Sequence, residues 1–430
     1  MLAKNLKSED PKAFALLQKE IKRQNETLNL IASENYPSLA VLEALGSVFN
    51  NKYSEGYPHK RYYAGNIVID KMEELAKERL LKLYVEPAFG QHLKSVDVKK
   101  ALQNNWHANV QPLSGSAANL AAYEAILNKG DKVLALDLSF GGHLTHGSKV
   151  NFSGKFYNFH YYKVDKKNER LDYKEIEKIA KSVKPKLIVC GATAYSRIID
   201  FKKFAAIAKK VNAYLLADIA HIAGLIAAGV HPSPIPYCDI ITSTTQKTLR
   251  GPRGGFIICK KNLAEKIDRA VFPGLQGGPH MHTVFSKAVC FKEASKSSFI
   301  RYSKQIIKNA RDLAESLQKE NIRIISGGTD NHLFLIDLKS LDIDGLSAQT
   351  ILEKAGIITN RNTIPFDTCS PANPSGLRLG TPALTTRGMK EKEMQQIAKH
   401  IAKILKTKKT TQDDTKEVKN IALKFSLPYK

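Results

Sequence analysis

Two short stretches of this chain hold residue types that could do chemistry together. Asp218 closes an apolar run, Tyr214 to Ala217, and His221 follows it, ahead of the turn at Ala223-Gly224. A second apolar run ends in Thr242-Ser243-Thr244-Thr245-Gln246-Lys247-Thr248-Leu249, followed by Arg250-Gly251-Pro252-Arg253-Gly254-Gly255. A lysine in a hydroxyl-rich turn, with arginines beside it to disfavour its protonation, is a candidate amine nucleophile. Taken singly, Asp218 reads equally as a helix cap or ion-pair partner, and Lys247 as a solvated loop lysine among 52 lysines. Taken together they suit pyridoxal phosphate. That cofactor requires a lysine for its Schiff base and an acid against its pyridine nitrogen, so that the protonated ring can accept electrons. Its phosphate requires an anion site. Ser114-Gly115-Ser116 opens a helix-like run, Gly115 to Asn128, whose first N–H groups and dipole favour an anion. Ser-Gly-Ser alone is a weak signal, since serine also caps ordinary helices.

Bringing these residues together is a task for the elements between them. β-rich runs at Lys132 to Leu138, Lys186 to Cys190, Tyr214 to Ala217 and Asp239 to Thr242 are separated by helical patterns such as Lys174 to Lys181 and Phe201 to Val211. Apolar strands alternating with amphipathic helices predict an α/β fold with a largely parallel sheet covered on both faces. Ligands bind such sheets at the carboxyl ends of the strands. Ahead of the sheet, a helix is expected from Asp10-Pro11 to about Arg23. The apolar segment Ser38 to Phe49 then leads into the aromatic, Gly-rich stretch Asn51 to Gly65. Behind the sheet come a long charged helical stretch, Phe285 to Glu320, and a smaller α/β unit. Its strands are expected at Ile322 to Ile325 and Leu333 to Leu338, its helices at Ser347 to Lys354 and Lys390 to Leu405. The division expected is a helical arm at 1–48, a large domain at 49–290 and a small carboxyl-terminal domain at 291–430. Val85 to His107, mixed in polarity, reads as a surface insertion.

Length agrees with this division, because 430 residues exceed what one core usually supports. A hydrophobic fraction of 43% and a charged fraction of 25% exclude a disordered or collagen-like chain and a disulfide scaffold. The net charge of +25 raises the question of a polyanion partner, but 52 lysines stand against 14 arginines and most are scattered singly. Base and phosphate recognition favours the bidentate guanidinium, so a solvated Lys-rich surface is expected and no dedicated nucleic-acid binding. Met1 to Asp10 has no apolar core of a secretory signal, and the longest apolar run, Ala213 to Val230, is interrupted by Asp218 and His221, so no membrane span is expected. Five dispersed cysteines without a Cys-x-x-Cys pair point to a reducing compartment, the cytoplasm, and to no structural zinc.

Longer stretches resemble the serine hydroxymethyltransferase family, fold type I pyridoxal phosphate enzymes, over nearly the whole chain. They include Leu30-Ile31-Ala32-Ser33-Glu34-Asn35, Asn51-Lys52-Tyr53-Ser54-Glu55-Gly56-Tyr57-Pro58, Lys60-Arg61-Tyr62-Tyr63 and Gly141-Gly142-His143-Leu144-Thr145-His146-Gly147. Asp218 to Leu225, Lys247 to Gly255, Pro273 to Pro279, Ser326 to Leu333 and Leu377 to Pro382 add to them. The resemblance implies a mainly parallel seven-stranded sheet sandwiched by helices, plus a smaller α/β domain. It implies that Lys247 carries the cofactor as a Schiff base, Asp218 faces the pyridine nitrogen, and His221 and Thr193 lie beside the ring hydroxyl. Gly115 and Ser116 would hold the phosphate, joined by Tyr53 and Gly278 from the neighbouring subunit of a homodimer, or of a tetramer. Arg378 with Ser33 would clamp the amino-acid carboxylate, a task for a bidentate guanidinium. Glu55 would be the acid–base carboxylate, and Tyr62, Tyr63 and Asn362 the remaining substrate and pterin neighbours. The implied reaction converts L-serine and tetrahydrofolate to glycine and 5,10-methylenetetrahydrofolate.

Three positions depart from the family's usual pattern. Phe140 stands where a histidine usually stacks on the pyridine ring, Gln246 where a histidine usually precedes the lysine, and Leu113 where histidine or tyrosine is common. Phenylalanine can stack but exchanges no proton, and glutamine hydrogen-bonds without titrating. The expectation is a folate-dependent enzyme. The alternatives are a tetrahydrofolate-independent aldolase or transaldolase acting on β-hydroxy amino acids, and an inactive homologue kept as a binding protein.

Overall fold

Along the apolar runs, neighbouring residues are buried on opposite sides of one sheet. The computed structural model describes residues 4–89 and 105–429. Strands β1 Trp106–Asn109, β2 Lys132–Leu136, β3 Asn158–Tyr162, β4 Leu187–Gly191, β5 Tyr214–Asp218, β6 Ile240–Thr244 and β7 Gly255–Lys260 form a seven-stranded sheet in the order β1-β7-β6-β5-β4-β2-β3. β2 to β6 are parallel, and β7 is antiparallel to both its neighbours. Leu134 and Leu136 of β2 enter one core while Val133 and Ala135 enter another, and β4 divides Ile188 and Cys190 from Leu187 and Val189 in the same way. Side chains alternate in a strand, so burial on both faces turns what would be an alternating pattern into a continuous apolar run.

Helices cover both faces. α1 Pro11–Glu26 starts as expected at Asp10, whose side chain accepts from Ala13 N–H, and buries none of its own residues. α2 Ile67–Tyr84 packs Met72, Ala76 and Leu80 into the first core, whereas α3 Gly115–Ile126 packs Ala118, Ala121 and Ala122 into the opposite one. α4 Met281–Ala294 and α5 Ser297–Lys319 follow the sheet. The expected single helical stretch Phe285 to Glu320 is thus corrected to two helices. They separate at Ser295, whose hydroxyl donates back to Lys292 O (2.8 Å) and competes with the helical ladder.

A second, four-stranded antiparallel sheet contains β8 Arg323–Ile324, β9 Leu333–Asp337, β10 Asn360–Asn362 and β11 Gly376–Gly380, in the order β8-β9-β11-β10. Its core joins Leu28 and Leu30 from the amino-terminal region to Phe334, Ile336, Leu377 and Ile401. α5 serves both cores: Phe299, Ile306 and Ile307 belong to the first, Leu313, Ala314 and Leu317 to the second. The surface insertion expected at Val85 to His107 is corrected at both ends. Val85 is buried at the end of α2, and Trp106 and His107 begin β1, whose four residues are all buried. A four-residue edge strand of mixed polarity carries no period to distinguish it from a loop. Residues 90–104, the rest of that segment, lie outside the described residues. Among the described residues, no helix is long and apolar enough to cross a membrane.

Candidate active site

Asp218 is the last residue of β5, and Lys247 lies in the turn beyond β6, so both stand at carboxyl ends of adjacent parallel strands. Gly191, the last residue of β4, has φ +158, and a Cβ there would come within 2.3 Å of Asp218 O, so the backbones approach closely at this end of the sheet. The Asp218 carboxylate is held on both oxygens. Oδ1 accepts from Ala220 N–H (3.0 Å), and Oδ2 accepts from Asn119 Nδ2 (2.8 Å) and His146 Nε2 (3.1 Å). His146 Nδ1 in turn accepts from His143 N–H, which leaves the ring proton on Nε2, facing Asp218. Burial works against the carboxylate, but the bonds from His146 and Asn119 outweigh it and hold the group well below the usual carboxylate range.

Lys247 is buried, and that burial is the first cause pushing its amine down to about 8; Asp218 opposes the shift, while Arg378 and Arg253 add to it. The lysine turn is held from outside as well as within. Thr245 Oγ1 donates to Pro252 O (2.6 Å), and Asn35 Nδ2 donates to Lys247 O (2.9 Å). Gln246, beside the lysine, is half-buried, and its Oε1 has no partner among the described residues. His221 is buried, with Nδ1 3.3 Å from His332 Nε2. Thr193 Oγ1 donates to Gly142 O (2.8 Å), and its carbonyl accepts from Arg378 Nη1 (2.8 Å).

Arg378 comes from β11 of the second sheet, so the cluster is assembled from both cores. Burial pushes its guanidinium down to about 10, leaving it charged at neutral pH. Its Nε donates to Asn360 Oδ1 (3.1 Å), and Nη2 makes no hydrogen bond among the described residues. Ser33 is half-buried, in the segment whose Leu30 O accepts from Gly380 N–H (2.8 Å) at the end of β11. Asn362 lies two residues beyond Asn360 on β10 and pairs in register with Gly376, so it shares the Asn360 face of the strand.

α3 begins at Ser114, whose side chain accepts from Ala117 N–H. Gly115 and Ser116 occupy the first helical positions, where N–H groups have no partner within the helix. A Cβ on Gly115 would meet Thr244 Cγ2 at 2.6 Å, so glycine is what lets this helix end approach β6. Phe140 ends a short 3₁₀ turn after β2; its ring meets Phe366 edge-on (4.9 Å between centroids), and the Lys163 ammonium lies 5.4 Å from its centroid.

Tyr53, Glu55, Tyr62, Tyr63 and Gly278 form a separate group. Tyr63 packs edge-on against Tyr53 and Tyr62, and a Cβ on Gly278 would press on the Tyr53 ring at 3.0 Å. Glu55 and Tyr62 line a cleft of ≈ 570 Å³ with Phe272 to Gly277. Arg61 fixes the loop: Nη1 donates to Ser54 O and Gly56 O, Nε to Asp70 and Nη2 to Glu73 (2.6 Å). Among the described residues, no hydrogen bond joins this group to Lys247, Asp218 or Arg378 within one chain.

The family model described as serine hydroxymethyltransferase matches residues 6–401. The chain belongs to the serine hydroxymethyltransferase family. A relative named serine hydroxymethyltransferase, from Methanospirillum hungatei JF-1, is 54% identical over 425 residues, which is 98% of this chain and 98% of that protein. The fold is that of the family, an α/β structure of fold type I with a mostly parallel seven-stranded sheet flanked by helices. The residues present fit the pyridoxal phosphate that serine hydroxymethyltransferase chemistry requires: a buried amine, a carboxylate kept ionised, and a helix amino terminus with free N–H groups. Sequence reasoning overlooked Asn119, Asn360 and His332 as functional neighbours. Asn119 sits in an Ala-rich helix and Asn360 on a short strand, with nothing in their local pattern to mark them.

Proposed function

We propose that the chain catalyses the reversible conversion of L-serine and tetrahydrofolate to glycine and 5,10-methylenetetrahydrofolate, with pyridoxal phosphate held by Lys247. The observation that carries this reading is the burial of the Lys247 amine beside an ionised Asp218 and the Arg378 guanidinium. Bound pyridoxal phosphate supplies an electron sink for breaking the bond between the α and β carbons of serine. Asp218 would hold the proton on the pyridine nitrogen, His221 and Thr193 would orient the ring through its hydroxyl, and the first turn of α3 at Gly115 and Ser116 would bind the phosphate. Phe140 would cover the ring, and Gln246 would offer its unpartnered oxygen beside the cofactor. Arg378, steadied by Asn360 and Thr193 O, would bind the substrate carboxylate with Ser33. Glu55 would exchange the proton of the substrate hydroxyl, with Tyr62, Tyr63 and Asn362 around substrate and pterin.

The proposed assembly is a homodimer, or a tetramer built from it, with shared sites in which Tyr53 and Gly278 serve the neighbouring chain. Support comes from the separation of the Tyr53–Glu55 group from Lys247 and from apolar exposure around it: Val48 is 79% exposed, Tyr62 83% and Ile67 75%. The proposed division is an arm at 1–48, a large domain at 49–290 and a small domain at 291–430, supported by the two separate cores, with α5 reaching into both. A cytoplasmic location is proposed on the free cysteines, four of them buried.

Glycine formation from serine, measured with and without tetrahydrofolate, tests the reading. Strong dependence on tetrahydrofolate is expected. Equal rates would replace it with an aldolase or transaldolase, and no imine absorption with pyridoxal phosphate would reduce the chain to a binding protein.

A further inference from the structure

His332 immediately precedes β9 in the second sheet, yet its ring reaches His221 beyond β5 in the first. The two rings lie nearly parallel, 26° apart with centroids separated by 5.5 Å, and His332 is fully buried. Both backbones are anchored. Thr248 Oγ1 donates to His221 O (2.9 Å), and Thr381 N–H donates to His332 O (3.1 Å). Burial is the first cause keeping both rings neutral, His332 down to about 3. The titratable groups that face them reinforce it: Lys247, Arg378 and His143 around His221, and Arg378, Lys247 and His231 around His332.

Between two neutral imidazoles one nitrogen donates and the other accepts; each ring has a single N–H, on the contact nitrogen in the donor ring and on the far nitrogen in the acceptor ring. His332 Nδ1 is buried and has no partner among the described residues. A proton there would be a buried donor without an acceptor, which costs more than a bare lone pair. The proton therefore belongs on His332 Nε2, donated to His221 Nδ1, and the His221 proton falls on Nε2.

We propose that His332 is a positioning residue that fixes His221 as its Nε2–H tautomer, so that His221 presents a hydrogen-bond donor to the ligand in the site. The inference rests on the proposed place of His221 beside the cofactor and deepens it: the matching ligand atom is an anionic oxygen, as in an ionised ring hydroxyl. The opposite order would turn a lone pair toward that anion and repel it. Because the donor and His221 come from different sheets, the tautomer would also report the seating of one core on the other.

Two-bond proton–nitrogen spectra of the full chain with ¹⁵N-labelled histidine, recorded with and without pyridoxal phosphate, read the tautomer directly, His221 being assigned with His221→Asn. His221 is expected as Nε2–H in both samples. His332→Leu should lose that signature and lower kcat about tenfold, whereas His332→Gln, whose amide can donate, should restore both. Finding wild-type His221 as Nδ1–H overturns the proposal even if the Leu variant fails to fold; so does an unchanged tautomer in a folded His332→Leu. An intact Nε2–H tautomer in a chain that binds no pyridoxal phosphate would instead sink the cofactor reading and leave the tautomer assignment standing.

Discussion

Asp218 holds the proton on Lys247 against the burial that drives it off. A solvated lysine holds its proton to about 10.4, whereas Lys247 loses it near 8. The rate at which pyridoxal phosphate labels Lys247, trapped with borohydride and read by mass spectrometry, should therefore rise with pH and level off above about 8. Asp218 favours the ammonium, against burial, Arg378 and Arg253. In Asp218→Asn the labelling midpoint should move lower, although the variant is the poorer catalyst. If Asp218 faces the pyridine nitrogen as proposed, the variant's kcat should fall by about a hundredfold or more with little change in serine KM, because a charge placed there matters most when the ring gains electrons. Steady-state kinetics on serine checks the split, and equal losses in binding and turnover would contradict it.

The elements that bring these residues together depend on a lysine that does no chemistry. Lys287 of α4 is fully buried, and its Nζ donates to Val110 O, Pro112 O and Gly255 O at 2.7, 3.0 and 2.7 Å. Three carbonyls match the three N–H groups of an ammonium. They tie the end of β1 and the start of β7 to the segment that leads into Ser114. Lys287→Met should cost about 2–3 kcal/mol, by taking a donor from three buried carbonyls, although Pro112 O keeps the Gly255 N–H (2.9 Å), and a urea midpoint measures it. An unchanged midpoint would show that the segment holds without them. Such a lysine is illegible in sequence, being one of many on a helix, whereas the positions of Asp218 and Lys247 at strand ends are legible, because each lies beyond an apolar run that reads as a buried strand. The parallel strands β2, β4, β5 and β6 announced themselves in the same way. β1, β3 and β7 did not: β1 and β3 are short edge strands of mixed polarity, and the apolar run Phe256 to Cys259 of β7 is masked by the Arg- and Gly-rich turn ahead of it. The neighbours Asn119, His146 and Asn360 act through contacts across long sequence separations, which spacing alone does not encode.

At the scale of the whole molecule, no hydrogen bond among the described residues joins the Tyr53–Glu55 group to Lys247, Asp218 or Arg378 within one chain. If Glu55 serves the neighbouring chain, Lys247→Ala and Glu55→Gln should each be inactive alone, yet regain about a quarter of wild-type activity when refolded together, since random pairing makes half the dimers hybrids with one intact site of two. A mixture as inactive as its components would place both halves in one chain. The position of Asn35 carries a different consequence. Its Nδ2 holds the Lys247 backbone while its Oδ1 accepts from Thr386 Oγ1, and Leu28 and Leu30 near it pack into a core made mostly of residues beyond 312. During synthesis these early residues leave the ribosome long before their partners exist. The outer clamp on the lysine turn is not seated until almost the entire polypeptide has emerged, so a nascent or prematurely terminated chain would be a poorer trap for a reactive aldehyde.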